Sequence, residues 1–379
     1  MPKDRQARPK NPSIYALILA GGAGTRFWPA SRATRPKQLL PLLGGAPLIV
    51  ETARRILPLV KRRGEAGWDR VLIGTGQHLA AATRRLLPEV GKANLLIEPV
   101  ARNTAPCIGW AAATVARRDP EAVVMVLPSD HHIEDVPGFQ EALRTAVATA
   151  ASGVITTIGI KPTHPETGYG YIELDETKEA PGPGAHGVRR FVEKPDRARA
   201  EEFLASGRFL WNAGMFFFRA GDMMAAIKAH QPALADGLEA MGKAAGSRHE
   251  AKVAAEVFPT LPSVSIDHGV MEHMASLAVV PGDFGWSDVG SWLSAWELAK
   301  GRDPEGNTRP GEAVFVDAKN NHVVDLRTKK TGGVVALVGV DDLVVVQTDD
   351  ALLIVPKSRA QDVKLVVDQL KSRKRHDLV

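Results

Sequence analysis

A run of four apolar residues, Ala16-Leu17-Ile18-Leu19, passes through Ala20 into Gly21-Gly22-Ala23-Gly24, and the cations Arg26 and Lys37 follow in the same segment. An apolar run of that length bounded by turn residues reads as a buried strand. Glycines behind it let consecutive backbone N–H groups face one point with no Cβ in the way, which makes an anion cradle. Two cations close by suit a polyphosphate. A tight turn beside a solvated basic patch is the plainer reading, but the glycines, Thr25-Arg26 and Pro36-Lys37-Gln38 all fall within one segment.

The next stretch of chain repeats the strand-and-helix alternation. Strands are expected at Tyr15–Ala20, Arg70–Thr75, Asn94–Glu98 and Ala122–Leu127. Between them, Ile49, Ala53, Ile56, Leu57 and Val60 recur at helical spacing, and further helices are expected over Ala105–Arg117 and Gly138–Ala150. Ala122–Leu127 is apolar throughout, as a strand covered on both faces should be. The fold class expected is α/β, a Rossmann-like doubly wound mixed sheet whose ligands gather at the strand carboxyl ends. From Gly153 to about Phe218 the pattern turns mixed, with strands at Val154–Ile160, Tyr169–Leu174, Val188–Glu193 and Met215–Arg219, and helices then dominate to about Ala255.

The Pro- and Gly-containing segment Asp303–Gly311 marks a boundary, and Ala180–Gly187 reads as an exposed loop. The chain then divides into a basic tail over 1–12, a catalytic domain over 13–302 and a β-rich unit with a closing helix over 303–379. That last unit shows short strands at Ala313–Val316, Val334–Val340, Leu343–Gln347 and Leu352–Val355. Ser358-x-x-Gln361 reads as a capping box for the closing helix, with Val363, Val366, Val367 and Leu370 as its apolar stripe. That stripe should bury against the β-rich unit, and losing it should leave the candidate site residues in place.

The net charge of +5 sits in the tails. Lys3, Arg5, Arg8 and Lys10 outweigh Asp4, and Lys371, Arg373, Lys374 and Arg375 outweigh Asp377, which leaves the body slightly negative. A nucleic-acid enzyme carries its basic stripe on the folded surface, so these tails read as frayed and solubilising, and no nucleic-acid partner is expected. No apolar run approaches the roughly 18 residues that cross a bilayer, and the N-terminus lacks the apolar stretch of a secretory signal. The lone Cys107 cannot form an intrachain disulfide and reads as a small buried residue. No membrane partner and a cytoplasmic location follow as expectations.

Two phosphate loops are excluded. No Lys-Ser or Lys-Thr follows the glycines at Walker A spacing, and the third glycine of a dinucleotide fingerprint is replaced by Phe27. What remains, G-G-x-G-T-R-F-W-P-x-S-R…P-K-Q, closely resembles the signature of mannose-1-phosphate guanylyltransferases, a branch of the sugar-phosphate nucleotidyltransferases. The resemblance spans roughly residues 14–375. It implies transfer of GMP from GTP to α-D-mannose 1-phosphate, giving GDP-mannose and pyrophosphate, with Mg²⁺ as cofactor. It also implies a C-terminal unit packed like a left-handed β-helix that supports a homodimer. Bifunctional relatives append an isomerase domain, which this chain is expected to lack.

Asp130, just past a buried strand, and Asp288, in Gly285-Trp286-Ser287-Asp288, are each candidates for a divalent cation or for a cap. The resemblance implies that they meet on one Mg²⁺. It also implies that Ala20, Gly21, Gly22, Gly24, Thr25, Arg26 and Lys37 cradle the nucleotide phosphates. Asn103 and Thr104 flank the base, or equally cap the helix that follows, and Glu98 or backbone carbonyls could accept from guanine. Gly168, Tyr169, Gly170, Glu193, Lys194 and Asn212 match the segments that line the hexose and its phosphate. Arg26, Lys37, Asp130, Lys194 and Asp288 are the expected catalytic set. His131 and His132 read as structural, since adjacent histidines seldom share one ion. Ser265–Glu272 matches a family segment, with His268 where relatives often carry tyrosine. Phe27-Trp28-Pro29 and Pro36-Lys37-Gln38 disfavour another pairing such as glucose 1-phosphate with UTP. The intact cations and carboxylates speak against a non-catalytic nucleotide-sugar sensor.

Overall fold

Four strands with little polar interruption set the frame: β1 (Ile14–Leu19), β2 (Val71–Gly76), β3 (Leu95–Glu98) and β4 (Val123–Pro128). They lie parallel in the order β3-β2-β1-β4, so their carboxyl ends share one edge. The helices Leu48–Val60 and Val136–Ala151 cover one face, and Thr104–Ala116, Ala220–His230 and Pro232–Ala244 cover the other. This computed structural model describes residues 12–22, 24–62, 64–177, 182–308, 313–328 and 333–379. The N-terminal basic tail, the start of the expected Ala180–Gly187 loop and the end of the Asp303–Gly311 boundary lie outside them.

Beyond β4 come β5 (His132–Ile133), β6 (Thr156–Ile160), β7 (Gly170–Asp175), β8 (His186–Glu193), β9 (Phe209–Arg219), β10 (Ala278–Gly282) and β11 (Trp286–Ser287). The sheet continues β4-β9-β6-β10-β8-β7, and β7 pairs back onto β9, so this half closes into a five-stranded ring. The open-sheet expectation needs this correction. The long β9 makes closure possible: Phe216–Arg219 pair with β4, while Phe209–Trp211 pair with β7. A register shift between Thr157 and Gly159 marks where β6 irregularly follows it. The sequence reading placed only Met215–Arg219 of β9, because Asn212 and Gly214 break its apolar pattern, and it left out β10, which carries Pro281.

The dipeptide pair β5–β11 matters more than its size suggests. Trp286 pairs with Ile133 and Ser287 with His132, which sets the chain entering Asp288 against the chain leaving Asp130.

The C-terminal unit holds β12 (Ala313–Val316), β13 (His322–Asp325), β14 (Val335–Val338), β15 (Leu343–Gln347) and β16 (Leu352–Pro356). β12 stacks parallel on β14 and β13 parallel on β15, as successive coils of a β-helix do. Ala313, Val323 and Val345 are buried between them. Asn321, fully buried, donates to Asn307 Oδ1 (3.1 Å) and to the Val340 carbonyl (2.9 Å) and so ties the turns of the coil. β13 escaped the sequence reading because polar residues flank it.

Three further expectations need correction. Lys357–Asp362 is a 3₁₀ turn, the helix proper is Val363–Ser372, and Asp362 at its start makes no side-chain cap, so Ser358 and Gln361 form no capping box. Lys357 fixes that turn, with its N–H on the Asp342 carbonyl (2.8 Å) and its ammonium on Asp342 Oδ1 (3.2 Å). The apolar stripe also packs beyond the β-rich unit: Val363 and Val367 share a core with Phe27, Trp28, Val289 and Trp292. The C-terminal tail is not frayed, because the Trp28 indole N–H donates to the Leu378 carbonyl (2.8 Å) and Arg375 pairs with Asp377.

The closing helix therefore braces the loop that carries Arg26. Truncation after Pro356 exposes partners of Val363 and Val367, each worth about 1.5–3 kcal/mol as an upper figure, and should lower Tm. Hydrogen exchange over residues 24–40 should also quicken. Unchanged protection there would disconnect the helix from the loop.

Candidate active site

The glycine loop is fixed from behind. Ala20 donates to the Gly74 carbonyl (2.7 Å), and its own carbonyl accepts from Gln38 Nε2 (3.0 Å) and Thr75 Oγ1 (3.2 Å). Gln38 also reaches the Gly22 carbonyl (3.1 Å), which leaves Gly21 and Gly22 exposed at the cleft mouth. Ala23 lies outside the described residues. Gly24 has φ +59°, and a Cβ there would fall 2.6 Å from Lys37 Cβ, so only glycine allows the two segments to meet. Thr25-Arg26-Phe27 forms a single 3₁₀ turn, from which Arg26 Nη1 donates to the Gly290 carbonyl (3.3 Å).

Lys37 is buried at 5% exposure. Its ammonium donates to the carbonyls of Asp288 (2.6 Å) and Val289 (3.0 Å) and pairs with Asp130 Oδ2 (2.9 Å). An ammonium has three N–H groups, and these three contacts account for all of them. Val289 holds φ +47°, an outlier for a β-branched residue, in the turn that aims two successive carbonyls at one cation. Burial pushes the Asp130 carboxyl up, but the Lys37 charge, His131 and the Lys37 hydrogen bond outweigh it and leave it below its ordinary value.

The flanking contacts are equally specific. Asp288 Oδ1 accepts from the Tyr169 hydroxyl (2.7 Å), and burial with the Asp288 charge raises that phenol far above its usual pKa. Burial lowers His131 to about 4, so its Nδ1 is free to accept from the Trp286 indole (3.1 Å). Arg55 and Thr52 of the Leu48–Val60 helix hold the carbonyls of His131 (2.9 Å) and Ser129 (3.4 Å). Arg26, Lys37, Asp130 and Asp288 thus line one cleft of about 380 Å³. Among the described residues no three His, Cys, Asp or Glu side chains group as metal ligands. His132 lies outside this cleft lining, on β5.

A second cleft, of about 420 Å³, opens at the ends of β1–β3 and shares Asp130 with the first. Gly21, Glu98, Asn103 and Thr104 line it. Glu98 is nearly buried, and that burial raises its pKa to about 7 against a lowering hydrogen bond from the buried Cys107. Asn103 Oδ1 caps the Thr104 N–H (2.9 Å), and the Thr104 hydroxyl accepts from the Ile266 N–H (2.9 Å). Asn103 is therefore the cap of the helix that follows, and it also lines the cleft.

On the remaining side, Glu166 holds the Gly168 N–H (2.7 Å), and Lys194, at φ +46°, pairs with Glu193 (2.6 Å) at the rim. Among the described contacts Lys194 is not brought to Asp130 or Asp288. Rings of Trp211, Tyr169 and Trp286 pack edge to face at 5.3 and 5.5 Å, which links this side to the carboxylates. His268 points to Glu272 (3.0 Å) and is largely exposed. Sequence reasoning overlooked Gln38 as the loop's anchor, although it stands in the Pro-Lys-Gln motif, and gave no role to Asp267, which bonds Asn212 (2.9 Å).

A sequence model of the family described as "Nucleotidyl transferase" matches residues 15–303, and one described as "MannoseP isomerase/GMP-like beta-helix domain" matches residues 311–370. The xanthan biosynthesis protein XanB of Xanthomonas campestris pv. campestris (strain B100) is 41% identical over 96% of this chain and 74% of its own length. The mannose-1-phosphate guanylyltransferase of Escherichia coli K12 is 40% identical over 96% of this chain and 75% of its own. A solved structure from Thermus thermophilus, described as a mannose-1-phosphate geranyltransferase, aligns with TM-score 0.82 at 35% identity over 95% of this chain and 99% of that one. With a nucleotidyl transferase domain over most of its length and a β-helix-like unit behind it, the chain belongs to the nucleotidyl transferase family, in the mannose-1-phosphate guanylyltransferase branch.

Proposed function

We propose that this chain makes GDP-mannose: a phosphate oxygen of α-D-mannose 1-phosphate bonds to the α-phosphorus of GTP, and the bond to the leaving pyrophosphate breaks. The observation that carries the reading is the Lys37 junction, which seats Asp130 and Asp288 together at the mouth of the glycine loop. Family membership supplies the substrate pair. The attacking phosphate, with its second pKa near 6, is largely dianionic at neutral pH and needs no general base. The obstacle is repulsion, about 4 kcal/mol per pair of unit charges at 4 Å and an effective dielectric of 20.

Two carboxylates, with no third ligating side chain grouped beside them among the described residues, suit Mg²⁺, which takes one or two of them and completes its shell with phosphate and water. Asp130 and Asp288 would hold it, and it would offset charge on the reacting phosphates. Gly21, Gly22, Gly24 and Thr25, with Arg26, face the nucleotide phosphates. Asn103, Thr104 and Glu98 bound the base. Gly168, Tyr169, Gly170, Glu193 and Asn212 bound the hexose, and Lys194 stands at the rim for its phosphate. Residues 13–302 form the catalytic domain in this reading, and 303–379 the left-handed β-helix-like unit with its helix. No helix among the described residues is long and apolar enough to cross a membrane.

Pyrophosphate release across a grid of nucleoside triphosphates and hexose 1-phosphates with Mg²⁺ tests the reading. GTP with mannose 1-phosphate should give the highest kcat/KM, and silence in every well would leave only a nucleotide-sugar sensor. Asp288→Asn keeps an acceptor for the Tyr169 hydroxyl, so the fold should hold. Loss of the anionic ligand should nonetheless cost about 10²–10³ in turnover, and near-normal turnover at limiting Mg²⁺ would remove Asp288 from the metal site.

We also propose a homodimer through the β-helix-like unit. Val314 and Val316 on β12 stand beside Ala336 and Val338 on β14, and Val314, Val316 and Val338 are 48%, 47% and 65% exposed. An apolar face of this kind marks an interaction surface. Light scattering at micromolar concentration should give twice the chain mass, and Val338→Asp should shift it toward the monomer. A wild-type monomer there would end the dimer reading.

A further inference from the structure

Asn212 has less to offer a ligand than its side chain suggests. Its Oδ1 already accepts from the Gly214 N–H (3.0 Å) and is crowded by the Thr157 hydroxyl oxygen (3.3 Å), whose proton goes to the Met215 carbonyl (2.8 Å), and Nδ2 gives one N–H to Asp267 Oδ1 (2.9 Å). One N–H remains, so Asn212 can donate to a sugar oxygen but is poorly placed to accept from a hydroxyl. The acceptor beside it is Asp267, which lines the cleft wall next to Gly214 and Phe216. Glu193 stands on the other side of Asn212: Gly170 packs directly against both, since a Cβ there would lie 2.5 Å from Glu193 Oε2 and 3.4 Å from Asn212 Cβ. Burial, then the Glu193 charge, raises Asp267 to about 6, so the two carboxylates feel each other. Neutral O–H donors satisfy such a pair without adding charge.

Asp267 is placed from the opposite side of the cleft. Ser265 caps its short turn through the His268 N–H (3.2 Å). The Thr104 hydroxyl accepts from the Ile266 N–H (2.9 Å), and the Ala105 N–H donates to the Val264 carbonyl (3.1 Å). The base-side loop thus fixes the backbone that presents Asp267.

We propose that Asp267 is a specificity-determining residue that accepts hydrogen bonds from the hexose hydroxyls, and that Thr104 is the positioning residue that sets it. This rests on the hexose 1-phosphate reading above. The test compares mannose 1-phosphate with its 2-, 3-, 4- and 6-deoxy analogues at saturating GTP and Mg²⁺. In the wild type, deleting the hydroxyl that Asp267 reads should lower kcat/KM about 10- to 100-fold, as loss of a hydrogen bond to a charged group does. Asp267→Asn should lose a similar factor on the intact sugar, mainly through KM. It should also treat that one analogue and the intact sugar nearly alike, while the other analogues keep their wild-type ranking. Thr104→Val should raise the KM for the sugar more than the KM for GTP, and Thr104→Ser should restore it. Where Asp267→Asn fails to fold by circular dichroism, Asp267→Ser takes its place. An equal loss on every analogue, or no loss on any, overturns the proposal. A wild type that uses another hexose 1-phosphate overturns the substrate reading alone, and the deoxy series of that sugar then tests Asp267.

Discussion

One ammonium group organises this active site. Lys37 is out of water, and its three N–H groups meet three acceptors from two distant loops, one carboxylate and two successive carbonyls. Removing one partner of a buried ion pair typically costs about 3–5 kcal/mol, because the other charge is left uncompensated. A lysine suits this geometry better than an arginine, whose planar fork favours bidentate partners over three converging ones. The surrounding structure keeps that point charge in place. Gly24 yields the space beside Lys37, Val289 accepts a strained backbone angle to present its carbonyl, and the β5–β11 pair brings the two loops into register.

Much of this was legible in the sequence where a segment's chemistry is local. β1 to β4 fall within a residue or two of the expected bounds, since unbroken apolar runs admit little else. The glycine loop and its cations were legible because an anion cradle leaves its mark in consecutive residues. The closed ring was not, because β7 pairing onto β9 is a long-range event with no local signature, and Asn212 and Gly214 disguise the strand that closes it. That Asp130 and Asp288 meet came only from family resemblance, as a pairing of two dipeptides is too short to read from pattern. In sequence Lys37 reads as a cation open to phosphate, whereas the fold commits its three N–H groups to protein acceptors. Buried hydrogen-bond counts of that kind depend on coordinates.

The two clefts divide the chemistry by charge. One cleft gathers Arg26, Lys37, Asp130 and Asp288, while the other is lined by the buried carboxyls Glu98 and Asp267. Burial raises the pKa of both, toward about 7 and about 6, as suits groups that meet neutral hydrogen-bond donors. Asp130 borders both clefts and is the carboxylate they have in common.

The bond between the Trp28 indole and the Leu378 carbonyl spans 350 positions of sequence. Domains form from the N-terminus onward as the ribosome delivers about 5–20 residues each second. The parallel strands and the glycine loop therefore exist well before the helix that packs behind Phe27 and Trp28. During that interval the nascent chain exposes an unpaired indole and the apolar back of its glycine loop. A late-made part of this chain finishes an early-made part of its active site, so the loop that carries Arg26 settles only once the closing helix has been delivered.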